Sequence, residues 1–259
     1  MIQAKSKVIG NQRFKNNYWH AVFEAPLIAL KAKPGQFLNI KLSDGLRPFL
    51  RRPFSIHNIS GSKLEILYEV LGEGTKILSG KKKGEYLDII GPLGTGFDYK
   101  IGQREEGREI MVAGGIGVAP LYFLAKEIKS KNKIVLIGAR TKDQVLCEKE
   151  FKALDCDIKI ATDDGATGFK GRVTGLLKEI LRHKSSAISQ SRIYACGPRP
   201  MLKAVADIAQ ENNILAQVSM EEHMSCGIGA CLGCVVKTKK GLERVCKEGP
   251  VFNTEDLVW

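Results

Sequence analysis

The chain contains no apolar stretch approaching the ~20 residues that a membrane-spanning helix needs, although 44% of its 259 residues are hydrophobic. It has no internal repeat and no low-complexity tract, which excludes repeat arrays and compositionally biased tails. The opening residues, Met1 to Lys7, hold no apolar run of the kind that starts an exported chain. The expectation is therefore a cytoplasmic protein whose seven cysteines are not a disulfide framework. Aromatic residues are few, at 7%, and they do not alternate with the basic ones.

That last absence bears on the charge. Forty Lys and Arg against 28 Asp and Glu leave a formal net charge of +12. The basic residues are spread along the chain, as in Lys31/Lys33, Arg51/Arg52, Lys81 to Lys83 and Lys129/Lys131/Lys133. A single-strand-binding surface would set stacking rings among them. No nucleic-acid partner and no membrane are expected. A solvated lysine-rich surface, docking onto an acidic protein, or attraction of anionic cofactors remain.

What the sequence does hold is a change of texture near residue 100. Before it, short runs such as Ala21–Glu24, Gln36–Leu42, Phe54–Ile59, Lys63–Val70 and Tyr86–Ile90 read as half-buried antiparallel strands. Pro34-Gly35, Ser43-Asp44-Gly45 and Gly91-Pro92-Leu93-Gly94 supply turns. A small β-barrel is expected, because closure removes exposed edges. The polar stretch Gly102–Gly107 reads as a linker. Beyond it strands alternate with helices: strand 109–113, helix 120–129, strand 133–138, strand 158–162, helix 175–183, strand 192–195 and helix 199–212. That alternation implies a doubly wound α/β domain with a parallel sheet. The expected division is 1–100 for the barrel, 101–216 for the α/β domain and 217–259 for a small C-terminal subdomain.

The C-terminal segment carries the most specific signal. Cys226, Cys231 and Cys234 read Cys-x4-Cys-x2-Cys, and Cys246 follows beyond the polar hairpin 237–241. This is the ligand order of a plant-type 2Fe-2S cluster. Gly227, Gly229, Ala230 and Gly233 let the loop wrap tightly and offer N–H groups to sulfur. Structural zinc usually shows two close pairs of ligands, often with His. Here three ligands share one loop. Cys147, Cys156 and Cys196 are scattered; small buried residues are the plain reading.

Segments in both larger domains suit anions. Gly114-Gly115-Ile116-Gly117-Val118-Ala119-Pro120 runs from a strand into a helix, and glycines there admit a pyrophosphate. Pro120 stands where a dinucleotide fingerprint has its third glycine. A tight βα turn is the plain alternative. Cys196-Gly197-Pro198 is a second such turn, and Thr162 to Gly165, with Gly168 and Gly171, a third. In the first domain, Arg52 could clamp a phosphate and Phe54 lie against a flat ring, with Ser55 pointing the other way. Gly72-Glu73-Gly74-Thr75 offers amides and a hydroxyl to the same pyrophosphate.

Taken together these motifs resemble the ferredoxin–NADP reductase superfamily, whose Arg-x-(Tyr/Phe)-Ser, Gly-Pro-Leu-Gly, Gly-Gly-x-Gly-x-(Ala/Thr)-Pro and Cys-Gly-Pro turns recur here in order. The segment Glu221 to Cys234, the tail Cys246 to Phe252 and Thr162 to Gly165 are similar to the electron-transfer subunits of NAD-dependent (class 1B) dihydroorotate dehydrogenases. The resemblance implies FAD in the barrel, NAD in the α/β domain and one 2Fe-2S cluster on Cys226, Cys231, Cys234 and Cys246. It implies flavin contacts at Arg52, Pro53, Phe54, Ser55, Leu67, Tyr68, Glu69, Gly74 and Thr75. Glu69 departs from the Arg that related chains carry. Nicotinamide contacts fall to Gly114, Gly115, Gly117, Cys196, Gly197 and Pro198.

The resemblance also implies an oxidoreductase component with no catalytic acid or base of its own. Electrons from a partner would enter at the cluster and leave through FAD as hydride to NAD+, in pyrimidine (UMP) biosynthesis. The partner would be an FMN-containing dihydroorotate dehydrogenase catalytic subunit, in a heterotetramer of two plus two. This chain shows no (β/α)8 pattern to hold dihydroorotate chemistry. A reductase subunit serving a sulfide dehydrogenase, a hydrogenase or a bifurcating complex is the alternative; some such relatives place Asp where Cys226 stands. A zinc-stabilised interaction module would leave the flavin and nicotinamide motifs unexplained. NAD rather than NADP follows from the resemblance alone, since Arg140-Thr141-Lys142 offers no acidic grip on a ribose diol.

Overall fold

The computed structural model describes residues 1–99, 107–182 and 190–259. The expected linker at 102–107 lies outside the described residues except for Gly107, as does His183 at the end of an expected helix. Among the described residues two seven-stranded sheets and one two-stranded hairpin carry the fold.

The first sheet comprises β1 (Ile2–Lys15), β2 (Tyr18–Glu24), β3 (Phe37–Lys41), β4 (Arg52–Ser55), β5 (Asn58–Ser60), β6 (Lys63–Glu69) and β7 (Tyr86–Leu93), with short helices α1 (Pro26–Ala29) and α2 (Glu73–Ser79). Its order is β4-β3-β7-β1-β2-β6-β5, all antiparallel. The hydrogen-bonded ladder stays open between β4 and β5, so the expected barrel is a curled sheet rather than a closed one. Ile56 and His57 join those two edges. β1 escapes a reading of apolar alternation because its inward row Ile2, Ala4, Ser6 and Val8 holds one small and one polar residue between the two apolar ends, while Lys5 and Lys7 face out. Yet β1 is central, paired to both β2 and β7. Phe23, Leu38, Ile40, Leu64, Ile66 and Ile89 fill the interior with no exposure.

The second sheet comprises β8 (Glu109–Gly114), β9 (Lys133–Ala139), β10 (Asp157–Thr162), β11 (Phe169–Lys170), β12 (Arg192–Cys196) and β13 (Leu215–Ser219). The hairpin β14 (Val235–Thr238) and β15 (Gly241–Arg244) follows, and β16 (Val251–Asn253) returns to pair antiparallel with β13. The order β11-β10-β9-β8-β12-β13-β16 reverses direction of winding between β8 and β12. The helices are α3 (Val118–Glu127), α4 (Glu148–Lys152), α5 (Val173–Arg182) and α6 (Arg199–Glu211). Ile110 and Val112 pack with α5 and α6, whereas Met111 and Ala113 pack with α3 and α4. This alternation is the period-2 geometry of a strand covered on both faces. Cys147 and Cys156 are buried.

α3 also reaches the first domain. Its Phe123 sits in that domain's core. His57, 6% exposed, packs beside it: Nδ1 lies 3.0 Å from the Ala119 carbonyl, and the ring stacks on Tyr122 at 4.8 Å and 24°. A carbonyl only accepts, so the neutral imidazole carries its proton on Nδ1.

Burial drives the His57 pKa down to about 4, against the Ala119 bond, which favours the charged form. The unfolded chain therefore takes up a proton near pH 6.5 that the folded chain refuses until about pH 4. Stability from this group is complete above pH 6.5 and is lost as the pH falls through that window. Urea unfolding at pH 7 and pH 4.5 is expected to differ by about 2 kcal/mol from His57, and His57→Gln should remove that part of the slope.

Candidate functional site

The cluster segment is a loop whose glycines let it fold back on its own sulfur atoms. Gly227, Gly229 and Leu232 have φ of 68°, 85° and 57°. The amides of Ile228 and Ala230 donate to Cys226 Sγ at 3.5 and 3.3 Å. Burial would raise the Cys226 thiol, but the N–H groups of Ile228, Cys231 and Ala230 outweigh it and bring it down to about 6. The Cys226 and Cys231 side chains lie close enough to interact, as do those of Cys234 and Cys246. Among the described residues no three His, Cys, Asp or Glu side chains gather as one metal ion would require. Two pairs of thiols suit a binuclear cluster, with two sulfurs at each iron. One pair is rooted, since Cys234 and Cys246 are each 2% exposed, and the other lies near the surface.

Two residues that local spacing does not single out fix this loop. Asn39 of β3 donates Nδ2 to the Cys226 carbonyl at 3.0 Å, and a Cβ at Gly227 would meet that nitrogen at 2.4 Å. A buried Asn inside the apolar run Phe37–Ile40 was the available signal. Arg244 donates Nη1 to the Gly229 carbonyl at 2.7 Å while Glu248 takes its other nitrogens. The Arg244 guanidinium holds the Glu248 carboxyl down to about 2.

The glycine-rich turns gather at the carboxyl ends of β8 and β12, the neighbours on either side of the winding reversal. Open α/β sheets bind ligands there. A Cβ at Gly117 would lie 2.0 Å from the Cys196 carbonyl oxygen, and one at Gly114 would lie 2.9 Å from Pro198 Cδ. Gly114, Gly115, Gly117, Cys196, Gly197 and Pro198 thus form one surface. Burial, then the Glu221 carboxylate, pushes the Cys196 thiol up to about 12, so it stays un-ionised. A cleft of about 260 Å³ adjoins this surface, lined by Pro198, Arg199, Met220, Glu221 and His223 among others. A larger cleft of about 680 Å³ lies at the opposite end of the strands, beside Arg108, Lys133 and Asp157. The smaller one is at the end where the sheet's geometry binds ligands. Arg140 follows β9 on the surface, and its turn is braced by Lys15 Nζ on the Val145 carbonyl at 3.1 Å.

In the first domain Arg52 lies against the turn Gly72 to Thr75, since a Cβ at Gly74 would be 3.3 Å from Arg52 Nε. Arg52 Nη1 donates to the Leu50 carbonyl at 2.7 Å. Thr75 Oγ1 is engaged by its own turn, accepting from the amides of Leu71 and Gly72 at 2.9 and 3.1 Å. Phe54 does not offer the free ring face expected of it. It is 8% exposed and meets Tyr68 edge-on at 5.7 Å, within the core of the first domain. Tyr68 is itself 2% exposed and Leu67 3% exposed, so both side chains are enclosed. Pro53, Ser55 and Glu69 are half-buried.

Two glycine substitutions separate space from backbone conformation. Gly117→Ala drives a methyl into the Cys196 carbonyl and should cost about 2–3 kcal/mol by overpacking. Gly115→Ala meets open space, so its left-handed φ of 54° should cost only about 1 kcal/mol. Denaturant midpoints of the two variants check the ranking.

Comparison with known proteins agrees with this geometry. Residues 221–258 match the iron-sulfur cluster binding domain of dihydroorotate dehydrogenase B, and residues 111–207 match the oxidoreductase NAD-binding domain. The dihydroorotate dehydrogenase B (NAD(+)) electron transfer subunit of Caldanaerobacter subterraneus subsp. tengcongensis is 40% identical, over 98% of this chain and 98% of its own. That of Bacillus pumilus is 41% identical, over 99% and 98%. Among solved structures, the NADH-dependent reduced ferredoxin-NADP oxidoreductase superposes with a TM-score of 0.85 and 28% identity, covering 99% of this chain and 90% of that one. A ferredoxin NADP+ reductase from Neisseria gonorrhoeae with bound FAD and NADP shares the fold, with a TM-score of 0.68 and 18% identity over 81% of this chain and 91% of that one. With paired cysteines at one end, glycine turns at the winding reversal and full-length relatives of 40% identity, the chain belongs to the family of dihydroorotate dehydrogenase B (NAD(+)) electron transfer subunits.

Proposed function

We propose that this chain passes electrons from a dihydroorotate dehydrogenase catalytic subunit to NAD+, by way of a 2Fe-2S cluster and FAD, in pyrimidine biosynthesis. The observation that carries the reading is a four-cysteine segment with Cys234 and Cys246 rooted in the core and Cys226 and Cys231 near the surface, on a loop held by a residue of the first domain. When bound, FAD exchanges single electrons with the cluster and a hydride with NAD(H).

The chain's residues bind and orient. Cys226, Cys231, Cys234 and Cys246 hold the cluster. Asn39 and Arg244 hold the loop that presents it. Arg52 and the Gly74-Thr75 turn receive the FAD pyrophosphate, with Pro53 and Ser55 beside the ring. Phe54, Leu67 and Tyr68 support that face from beneath, and Glu69 borders it. Gly114, Gly115, Gly117, Gly197 and Pro198 admit the dinucleotide, with the neutral Cys196 thiol beside the nicotinamide. These roles divide the chain as 1–100, 101–216 and 217–259. No acid or base of this chain is assigned to dihydroorotate. That chemistry belongs to the catalytic partner, read here as FMN-containing and assembled two plus two. Among the described residues no helix is long and apolar enough to cross a membrane.

The likeness to the NADH-dependent reduced ferredoxin-NADP oxidoreductase favours a second reading, a reductase subunit for another partner. Copurification with a dihydroorotate dehydrogenase chain separates the two.

Anaerobically purified, the chain is expected to show a flavin envelope with a broad red shoulder, bleached by NADH. It should oxidise NADH with artificial acceptors in the absence of its partner; oxidation of dihydroorotate by this chain alone would overturn the assignment. Cys226→Ser should lose most of about two irons per chain while keeping FAD that NADH still reduces. Iron and flavin analysis with the visible spectrum decides it.

A further inference from the structure

α3 begins at the glycine-rich turn and ends on the first domain. Ala119, Tyr122, Phe123 and Lys126 are spaced i, i+3, i+4, i+7, so they share one helix face. Each of them meets the first domain. Ala119 receives His57 Nδ1–H at 3.0 Å, Tyr122 stacks on the same ring, and Phe123 enters that domain's core. Lys126 Nζ donates to Asn58 Oδ1 at 2.8 Å and to the Ile59 carbonyl at 2.7 Å. His57 is in turn fixed: its amide donates to the Glu65 carbonyl at 2.8 Å, and its ring meets His20 edge-on at 5.9 Å. Glu65 is held by His20 Nε2 at 2.8 Å and Asn58 Nδ2 at 3.1 Å. His57 lies two residues beyond Ser55, the end of β4, and Ala119 two residues beyond Gly117.

We infer that His57 is a positioning residue for hydride transfer, setting the distance between the flavin strand β4 and the nicotinamide turn at Gly114–Gly117 through the Ala119 carbonyl. The inference rests on the functional reading above, which places the two ring systems on those segments. The physical argument is one of tolerance. Hydride transfer needs the reacting atoms about 3–3.5 Å apart, and a displacement of about 1 Å costs roughly 100-fold in rate. The flavin strand and the nicotinamide turn belong to different sheets. A bond from one segment to the other, closed within two residues of each, removes slack that longer connections would leave. The Lys126 contacts anchor the far end of the same helix and oppose rotation about the near bond.

The test runs the transfer from NADH, so that one hydride with its two electrons passes to FAD and NAD+ is released. Stopped-flow reduction of the full chain by NADH gives the rate and the NADH dissociation constant separately. His57→Phe keeps a ring against Tyr122 but loses the donor. Its reduction rate is expected to fall about 10- to 100-fold, with NADH affinity changed less than about threefold and FAD and iron contents unchanged. His57→Gln restores an N–H donor and should recover most of the rate. Lys126→Met, on the surface, should slow reduction about threefold to tenfold and keeps the inference testable if His57→Phe folds poorly. Independently of turnover, amide hydrogen exchange across residues 114–123 should rise about tenfold in His57→Phe, reflecting local loosening. Wild-type rates and exchange in both His57→Phe and Lys126→Met would overturn the inference while leaving the function standing. A wild-type chain whose FAD is not reduced by NADH would overturn the functional reading, and this inference with it.

Discussion

Helix α3 belongs to two cores at once, and the geometry of the molecule depends on that sharing. Leu121, Leu124 and Ala125 face the parallel sheet, and Phe123 faces the first domain. Protein interiors are close-packed, so a helix built into both cannot shift against one without disturbing the other. The strand β4 and the turn at Gly114–Gly117, which the proposed function assigns to the two cofactors, are consequently joined through one packed helix. The His57 ring N–H and the Lys126 ammonium both find acceptors at that joint. A buried histidine is costly when charged, and here burial keeps it neutral, with its one ring N–H spent on a carbonyl of the helix.

The cluster loop is tied down by the same principle with different chemistry. Its two inner cysteines are part of the core that includes α5 and α6, and the outer two ride on a loop of left-handed residues. Such a loop has no regular ladder to use its backbone groups. Asn39 and Arg244 each take one of its carbonyls, and Cys226 takes two of its amides. The result combines a rooted half that resists displacement with an outer half near the surface. An electron carrier between two proteins needs both, because its ligands must stay fixed while one side remains approachable.

The motifs were readable because their chemistry is local. Four cysteines at a given spacing state a ligand type locally, and three glycines between a strand and a helix mark a close backbone approach. Strands β8 to β10 and β12, and helices α3, α5 and α6, were likewise visible, since their apolar periods are written in consecutive residues. β1 was not, because its inward row holds Ala4 and Ser6 and its burial comes from neighbours on both sides. Phe54 looked like a platform for a flat ring, and became part of the core because Tyr68 from another strand meets it.

By itself, then, the sequence determined the cysteine spacing and the glycine-rich turns, which are properties of neighbouring residues, and through them the family whose cofactors the chain is expected to share. The tertiary structure alone decided how those sites are held. Asn39 meets Cys226 across 187 positions of chain, and His57 meets Ala119 across 62. The curled sheet also stays open between β4 and β5, where the expectation was a closed barrel. Contacts of this kind follow from strand order and helix packing, which pair residues whose local context announces nothing of the pairing.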